Sequence, residues 1–363
     1  DRVKNLTKFN KRNKPIIIKL KELKAFRNKE DTDTKGIVSS GTRIIKPLPE
    51  KVTLFTIIKS IGSSRNKPLE NLTIGNFTVK EKYNEFSGKA KILSLKPLSS
   101  PLQAVLVLDN SATIAPVKDQ VSDAVKSFLG VLKNLEIPSK SKIAILPISL
   151  EEGDKVGNYL SDESNEDPEW FSFDNAHLIE LDSLIKDTMK VNKLGTKTPL
   201  WDGIESALKK LNYINNDEYY KFILCITDGI NDGGNIKKYS LIENLLQSKY
   251  SEIPIFTIGY RGSQGLNAEE LVRLSQLSGA GREGIGSFMD VKAQDLVEVY
   301  DQIALSIDKS YELSWRPTGA GIGVPVSVSI EIEYEGMAQE PFRTTIDKEY
   351  TLQPDSSPIE EVQ

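Results

Sequence analysis

Four apolar runs in the middle of the chain restrict its possible folds more than any other feature of the sequence. They cover residues 104–108, 143–148, 222–227 and 253–259. Each run has the length of a strand and carries apolar side chains on both faces, as buried strands of parallel sheets do. Between the runs, apolar residues recur every three or four positions, which predicts helices. The pattern therefore predicts an α/β fold with a doubly wound, mainly parallel sheet.

On both sides of this region, apolar residues alternate with polar ones. Residues 52–59, 76–82 and 89–96 have a period of two and are separated by Gly, Ser, Asn and Pro, which predicts β-strands. The same period returns after residue 309. Each set has one apolar face, and neither set alone buries it. We therefore expect both sets to pair in one accessory β-sandwich, with the α/β region inserted between them.

These patterns divide the chain into five parts. We expect an N-terminal arm, the first part of the β-sandwich, the α/β region, the second part of the β-sandwich and a tail, at 1–36, 37–99, 100–309, 310–353 and 354–363. The arm carries twelve Lys or Arg against five Asp or Glu. We expect it to be solvated and partly disordered, with contact to an anionic surface as the alternative.

Composition excludes several classes of protein. The net charge of -4 gives no electrostatic argument for a nucleic-acid partner. No apolar run approaches the roughly 20 residues that a membrane-spanning helix needs. The chain has one cysteine, Cys225, and one histidine, His177. An intramolecular disulfide is therefore impossible, and a zinc site or a Cys/His catalytic pair is disfavoured.

Small oxygen-bearing side chains follow two of the predicted strands and precede one predicted helix. The set comprises Asp109, Ser111, Thr113, Thr198 and Asp228. Thr196 precedes the same predicted helix as Thr198. In an open α/β sheet, ligands bind beyond the carboxyl ends of the strands, so these groups are expected to converge there. Two carboxylates with hydroxyl groups, and without sulfur or imidazole, suit a hard divalent cation such as Mg²⁺.

Each of these residues also has an ordinary structural explanation. Ser111 and Thr113 could cap a helix that starts near Pro116, as short hydroxyl side chains often do. Asp109 could be a polar strand end, and Asp228 with Gly229 could form a plain turn. That these three ordinary features coincide by chance at matching strand ends is the less favoured explanation. The metal site is therefore the preferred interpretation.

The three motifs together resemble the von Willebrand factor type A (VWA) domain. "DNSAT" at 109–113 is similar to the Asp-x-Ser-x-Ser pattern of its metal-ion-dependent adhesion site, with threonine in the last place. "TPLWDG" at 198–203 and "ITDG" at 226–229 are similar to its threonine and aspartate motifs. The resemblance implies Thr198 as the threonine ligand, with Thr196 as a less favoured substitute. The resemblance implies that the five residues hold Mg²⁺, or Mn²⁺ or Ca²⁺. It also implies that a protein partner completes the site with an Asp or Glu carboxylate.

The resemblance implies a non-enzymatic, metal-dependent protein-binding or adhesion module. "LENLTIGNFTVKEK" at 69–82 and "SYELSWRP" at 310–317 resemble bacterial proteins in which β segments flank a VWA domain, which implies an extracellular or cell-envelope location. One alternative is a metal-dependent phosphoryl-transfer hydrolase that uses Asp109. Ser111 argues against it, because that chemistry typically needs a second carboxylate there. A purely structural module is the other alternative.

Overall fold

The computed structural model describes most of the chain after the predicted arm. The described residues are 36–45, 47–61, 66–134, 140–150, 158–161, 169–173, 175–190, 194–213, 219–248, 250, 253–281, 285–335 and 341–354. The predicted arm, except Gly36, and the predicted tail, except Pro354, lie outside these residues. No described helix is both long enough and apolar enough to cross a lipid bilayer.

Strands and helices follow one another in three blocks. The first contains β1 Gly36–Ile45, β2 Val52–Ile61, β3 Lys67–Pro68, β4 Phe77–Tyr83, β5 Phe86–Lys89 and β6 Lys91–Pro97. The second contains β7 Leu102–Asp109, α1 Lys118–Asn134, β8 Lys142–Ile148, β9 Phe171–Ser172, α2 Asn175–Thr188, α3 Leu200–Tyr213, β10 Tyr220–Thr227, α4 Tyr239–Ser248, β11 Ile255–Gly259, α5 Ala268–Leu277, β12 Ser287–Phe288 and α6 Leu296–Asp308. The third contains β13 Tyr311–Arg316, β14 Pro325–Tyr334 and β15 Phe342–Thr351.

The second block forms one six-stranded sheet in the order β12-β11-β10-β7-β8-β9. All neighbouring pairs are parallel except β8 with the two-residue strand β9, which is antiparallel. The four apolar runs of the sequence fall on β7, β8, β10 and β11, with Ile253 and Pro254 lying just before β11. The predicted doubly wound, mainly parallel sheet is therefore confirmed. The direction of the strand order reverses between β7 and β10. This reversal places a crevice at the carboxyl ends of those two strands.

Helices cover both faces of this sheet because its strands are apolar on both faces. On one face, α1, α2 and α6 contribute buried residues such as Phe128, Leu181 and Tyr300 to a common hydrophobic cluster. On the other face, α3, α4 and α5 contribute residues such as Ile204 and Leu271. With apolar surface removed from water on both sides, the sheet gives the strand ends a rigid support.

The first and third blocks combine in two further sheets. The five-stranded sheet has the order β1-β2-β13-β6, with β3 paired to β2, and the four-stranded sheet has the order β15-β14-β4-β5. Each sheet therefore contains strands from both sides of the α/β region. Buried residues of both sheets, including Leu54, Val79, Trp315 and Ile330, belong to a third hydrophobic cluster.

A buried carboxylate connects the two sheets within that third cluster. Glu81, on β4, is 1% exposed. Its carboxylate accepts hydrogen bonds from the Trp315 indole Nε1–H at 2.5 Å and from the Tyr350 hydroxyl at 2.6 Å. It also accepts from the Thr318 backbone N–H and hydroxyl, each at 2.7 Å. The charge is fully hydrogen-bonded, which is the condition for burying a carboxylate without a large penalty.

Strand β2 is buried on both faces, which differs from the single apolar face expected from the sequence. Leu54 and Ile58 lie in the third cluster, whereas Phe55 and Ile57 lie in the cluster formed by α1, α2 and α6. The Phe55 ring stacks on Tyr220 at the start of β10, with centroids 4.0 Å apart and 14° between the planes. The five-stranded sheet therefore packs directly against the α/β region.

Hydrogen bonds also connect the five-stranded sheet to the α/β region. The Tyr220 hydroxyl donates to the Gly41 carbonyl at 3.0 Å, and the Gly41 N–H donates to the Gly279 carbonyl at 2.8 Å. The Lys59 ammonium donates to the Ile285 carbonyl at 2.9 Å. Lys59 is 2% exposed, and burial lowers the pKa of its amine to about 7. The contact thus contains a lysine whose charged form is destabilised by desolvation.

The chain enters and leaves the α/β region at one place. The Leu98 N–H donates to the Ser310 carbonyl at 3.0 Å, which joins the segment before β7 to the segment after α6. Glu312, on β13, accepts from the Ser99 N–H at 2.8 Å and pairs with Lys96 at 3.0 Å. Burial raises the pKa of Glu312, but these donors outweigh it and hold the pKa below its usual range.

Candidate functional site

The candidate site lies at the reversal of strand order. Asp109 is the last residue of β7, and Asp228 directly follows β10. These strands are parallel neighbours, with Leu108 opposite Ile226, so both carboxylates emerge at the same edge. Both residues are fully buried. Their position follows from the apolar strands before them, which fix the two strand ends side by side.

Three hydrogen bonds hold the Asp109 carboxylate. Its Oδ1 accepts from the Ser111 N–H at 3.0 Å and from the Thr198 hydroxyl at 3.3 Å. Its Oδ2 accepts from the Thr227 hydroxyl at 3.0 Å. The carboxylate therefore connects three segments that are distant in sequence, and two of the donors are predicted site residues.

The hydroxyls of Ser111 and Thr113 lie 2.8 Å apart. Ser111 precedes a 3₁₀ turn at Ala112–Ile114, and its side chain makes no capping bond to that turn. Helix α1 begins later, at Lys118. The capping explanation therefore does not account for Ser111, whose hydroxyl contacts another hydroxyl of the candidate set.

Backbone hydrogen bonds fix the Thr198 loop against the loop that follows β7. The Gly195 N–H donates to the Asn110 carbonyl at 2.9 Å, and the Ala112 N–H donates to the Gly195 carbonyl at 2.7 Å. A Cβ atom at Gly195 would lie 2.4 Å from the Ser149 Cβ, so only glycine permits this close approach. Thr198 is thereby buried beside Asp109, whereas Thr196 is exposed.

Asp228 retains one unused carboxylate oxygen. Its Oδ1 accepts from the Ile230 N–H at 3.0 Å. Its Oδ2 is buried and has no hydrogen-bond partner among the residues that the structure describes. The backbone of Gly262 covers this oxygen closely, since a Cβ at that position would lie 2.4 Å from it. A buried carboxylate oxygen without a partner is costly, so this atom marks a place for a positive group.

The loop after Asp228 is held by the start of α3. The Asp202 carboxylate accepts from the backbone N–H groups of Asn235 and Ile236 at 2.9 and 3.0 Å. The Asp232 N–H donates to the Thr198 carbonyl at 2.9 Å. Asp202 therefore holds the loop that follows Asp228 against the start of α3, next to Thr198.

The electrostatics of the two carboxylates favour a cation between them. Burial raises the pKa of Asp109, and hydrogen bonds from Ser111 and Thr227 only partly oppose this rise. Burial also raises the pKa of Asp228, and the charge of Asp109 raises it further. Two buried carboxylates at one edge repel each other, and a divalent cation relieves both the repulsion and the desolvation.

The donor set fits a hard divalent cation. It offers two carboxylates and three hydroxyls, and the unpartnered Oδ2 of Asp228 is a free carboxylate donor. Within the described ranges, no three His, Cys, Asp or Glu side chains come together as a metal-binding group. Only two of the ligands in this set are charged. This composition suits a cation that also coordinates water or oxygen atoms of a partner.

Two further residues contribute to this site and carry little signal in the sequence. Thr227 donates to Asp109, and its position directly before Asp228 was the only available signal. Gly262 approaches Asp228 from the loop after β11, and nothing in its local sequence indicates that contact.

The doubly wound sheet and the hydroxyl–carboxylate edge define a class of α/β domain. The family model of the von Willebrand factor type A domain matches residues 104–302, more than half of the chain. The chain therefore belongs to the VWA family, and the resemblance found in the sequence is confirmed. Among curated proteins, none matches the sequence of this chain.

Several solved structures are similar to this chain at low identity. Proximal thread matrix protein 1 of the mussel byssus is 15% identical, with 60% of this chain and 48% of that one covered and a TM-score of 0.42. The pilus adhesin SpaC of Lactobacillus rhamnosus GG is 9% identical, with 84% and 47% covered and a TM-score of 0.45. Manganese-loaded TRAP protein of Plasmodium vivax is 13% identical, with 72% and 98% covered and a TM-score of 0.42. This chain thus spans about half the length of the first two proteins.

Proposed function

We propose that this protein is a metal-dependent protein-binding module. The proposed ligands are Asp109, Ser111, Thr113, Thr198 and Asp228, and the proposed cation is Mg²⁺, with Mn²⁺ or Ca²⁺ as substitutes. The observation that carries the proposal is the buried, unpartnered Oδ2 of Asp228, beside a second buried carboxylate and three hydroxyls. Neutral hydroxyls leave much of the cation's charge uncompensated, so the site favours one further anionic ligand.

The proposed partner is a protein that presents an Asp or Glu carboxylate. When bound, the cation supplies an open coordination position for that carboxylate oxygen. The chain's own residues hold the position in place: Thr227 and Ser111 orient Asp109, and the Gly262 backbone restricts Asp228. Such a module binds and releases its partner without covalent chemistry. An extracellular or bacterial cell-envelope location, proposed from the resemblance of the flanking segments, accords with an adhesive role.

We propose that the two flanking sheets form an accessory β-sandwich into which the VWA domain is inserted. The proposed boundaries are 37–99 and 310–353 for the sandwich and 100–309 for the VWA domain. Two observations support this arrangement. Each flanking sheet contains strands from both sides of the VWA domain, and the Leu98 N–H bonds to the Ser310 carbonyl where the chain enters and leaves.

Calorimetric titration of the chelator-treated full chain with MgCl₂ or MnCl₂ tests the metal site. We expect a dissociation constant of about 10 µM to 1 mM, because the site is open and retains water. Asp109→Asn and Asp228→Asn each remove a charge without removing volume, and both should abolish the heat. Asp301→Asn is the matched control, because Asp301 is also buried, on α6, and bonds to the Ser127 hydroxyl. Absence of heat with the wild-type chain for both cations contradicts the proposal.

A carboxylate probe tests the open position. With Mn²⁺ bound, added acetate should displace an ordered water and lower the relaxation enhancement of water protons. An acetate-insensitive enhancement contradicts the acidic-partner part of the proposal. Hydrolysis of p-nitrophenyl phosphate that depends on Mg²⁺ and is lost in Asp109→Asn would instead support the phosphoryl-transfer alternative.

A further inference from the structure

Three exposed lysines border the candidate metal site on the side where α3 and α4 begin. Lys197 lies one residue before the proposed ligand Thr198. Lys237 and Lys238 end the loop that follows Asp228, directly before α4. We refer to Lys197, Lys237 and Lys238 as the basic strip. Its positive charges therefore lie on loops that also carry two of the proposed metal ligands.

The two loops of the basic strip are held against each other. The Asp232 N–H donates to the Thr198 carbonyl at 2.9 Å. A Cβ atom at Gly233 would lie 3.4 Å from the Lys197 Cβ, so the loop after Asp228 passes close to the base of that lysine. The Leu150 N–H donates to the Lys197 carbonyl at 3.0 Å and fixes its backbone from the other side. The position of Lys197 beside the site is therefore set by the fold.

Asp202 fixes the end of the basic strip that precedes α4. Its carboxylate accepts from the N–H groups of Asn235 and Ile236, directly before Lys237. Gly234 has a φ of 70°, and a Cβ atom there would collide with the same carboxylate. Only glycine permits this close approach. The chain that leads to Lys237 is thus held on the first turn of α3, next to the Thr198 loop.

None of the ammonium groups of the basic strip forms an ion pair with a carboxylate of the described chain. Other cations at the same edge are paired, since Lys118 contacts Asp119 at 2.6 Å and Arg261 contacts Asp290 at 3.1 Å. Asp232 is exposed in the loop of the strip and offsets part of its charge. The chain as a whole has a net charge of -4, so the strip does not reflect a basic composition.

The charges of the basic strip also lie where the fold does not favour them. Lys237 and Lys238 are neighbours of like charge at the N-terminus of α4, where the helix dipole disfavours cations. Carboxylates brought by a partner would relieve both the mutual repulsion and the unfavourable dipole interaction. The strip therefore complements an anionic partner that already contacts the adjacent metal site.

We propose that the basic strip extends the metal site into a docking surface for an acidic polypeptide segment. One carboxylate of the segment binds the cation, and carboxylates next to it in sequence pair with the lysines. This inference rests on the proposed function. Many proteins expose a single Asp or Glu, so the strip adds selectivity for segments in which several acidic residues follow one another.

Two short rhodamine-labelled peptides test this surface on the full chain. One carries a single Glu among glycines, and in the other three Asp follow that Glu. Fluorescence anisotropy in MgCl₂ should show about tenfold tighter binding of the second peptide, because each exposed ion pair changes affinity by a few fold. This preference should weaken as NaCl is added, since salt screens exposed pairs.

Replacing all three lysines of the basic strip by glutamine should remove most of this preference. Calorimetric affinity for MgCl₂ alone should change by less than about twofold, because exposed charges that do not ligate the cation act weakly on it. Asp232→Asn should have the opposite effect and increase the preference. The matched control is the triple variant Lys51→Gln, Lys82→Gln and Lys91→Gln, which loses the same charge at exposed positions outside the VWA domain and should keep the preference.

The outcomes separate this inference from the proposed function. Mg²⁺-dependent binding of both peptides with equal affinity overturns the inference and leaves the proposed function intact. A preference that survives the strip substitutions, is lost equally in the control or persists in chelator also overturns it. Mg²⁺ binding without binding of either peptide overturns the inference together with the acidic-partner part of the proposed function. Absence of Mg²⁺ binding by the wild-type chain overturns both proposals.

Discussion

The buried Lys59 makes the stability of this protein depend on pH in a direction that the structure determines. Burial lowers the pKa of its amine from 10.5 to about 7. Between these values the unfolded chain binds a proton that the folded chain does not, so stability rises with pH across this window. Below pH 7 both states are protonated, and the full cost of burying the charge is present.

The magnitude follows from the two pKa values. Each unit of difference between the two pKa values corresponds to about 1.4 kcal/mol. Burying the charged amine therefore lowers the free energy of unfolding by about 5 kcal/mol below pH 7. Integration over the titration gives a gain of about 2 kcal/mol between pH 7 and pH 9. Lys59→Met keeps the side-chain length and removes the charge. It leaves the Ile285 carbonyl without its donor, but that loss is independent of pH.

Urea denaturation of wild type and Lys59→Met at pH 7 and pH 9 measures the effect. The variant's stability relative to wild type should fall by about 2 kcal/mol from pH 7 to pH 9. Other titrating groups cancel in this difference. Lys51→Met, at an exposed position beside the same strand, should give the same difference at both pH values. A pH-independent difference for Lys59→Met refutes the reasoning, because the amine would then titrate equally in both states.

Three further substitutions test other parts of the structure. Glu81→Gln should destabilise the chain by about 3 kcal/mol in urea denaturation, because a neutral amide weakens the charged hydrogen bonds and turns an NH₂ group toward donors such as the Trp315 indole. Glu312→Gln should destabilise the chain at pH 7. That difference should shrink as the pH falls below 4.5 through the lowered pKa of wild-type Glu312, as denaturation at a series of pH values will show. Gly262→Ala should weaken calorimetric Mg²⁺ affinity about tenfold, because its Cβ would lie 2.4 Å from Asp228 Oδ2; Gly130→Ala, with open space around it, should not.

The sequence predicted the α/β sheet because its signals are local. The apolar runs and the helical faces between them depend on neighbouring residues only, and they determine which side chains stand at the strand ends. Asp109 and Asp228 could therefore be placed at one edge from the local pattern alone. Thr198 required the motif resemblance as well, since its loop reaches Asp109 through contacts of Gly195 with the loop after β7.

Other features depend on contacts that no local pattern encodes. Strand β1, "GIVSSGTRII", was not predicted as a strand, because its small polar residues and the irregular register between Ser40 and Arg43 interrupt the period of two. Lys59 follows apolar residues and reads as the polar end of a strand, yet the α/β region covers it.

The pairing of strands from both sides of the VWA domain favours folding of that domain before the flanking sheets close. Strands β2 and β4 bond to β13 and β14, so the pairing joins parts of the chain separated by the whole VWA domain. At usual rates of synthesis, the early strands wait on the order of tens of seconds for these partners. A folded α/β region shortens the loop that must close, because the chain enters and leaves this region where the Leu98 N–H bonds to the Ser310 carbonyl. Mutations that slow the folding of this domain therefore leave unpaired strand edges open to aggregation, even when they lie far from both flanking sheets.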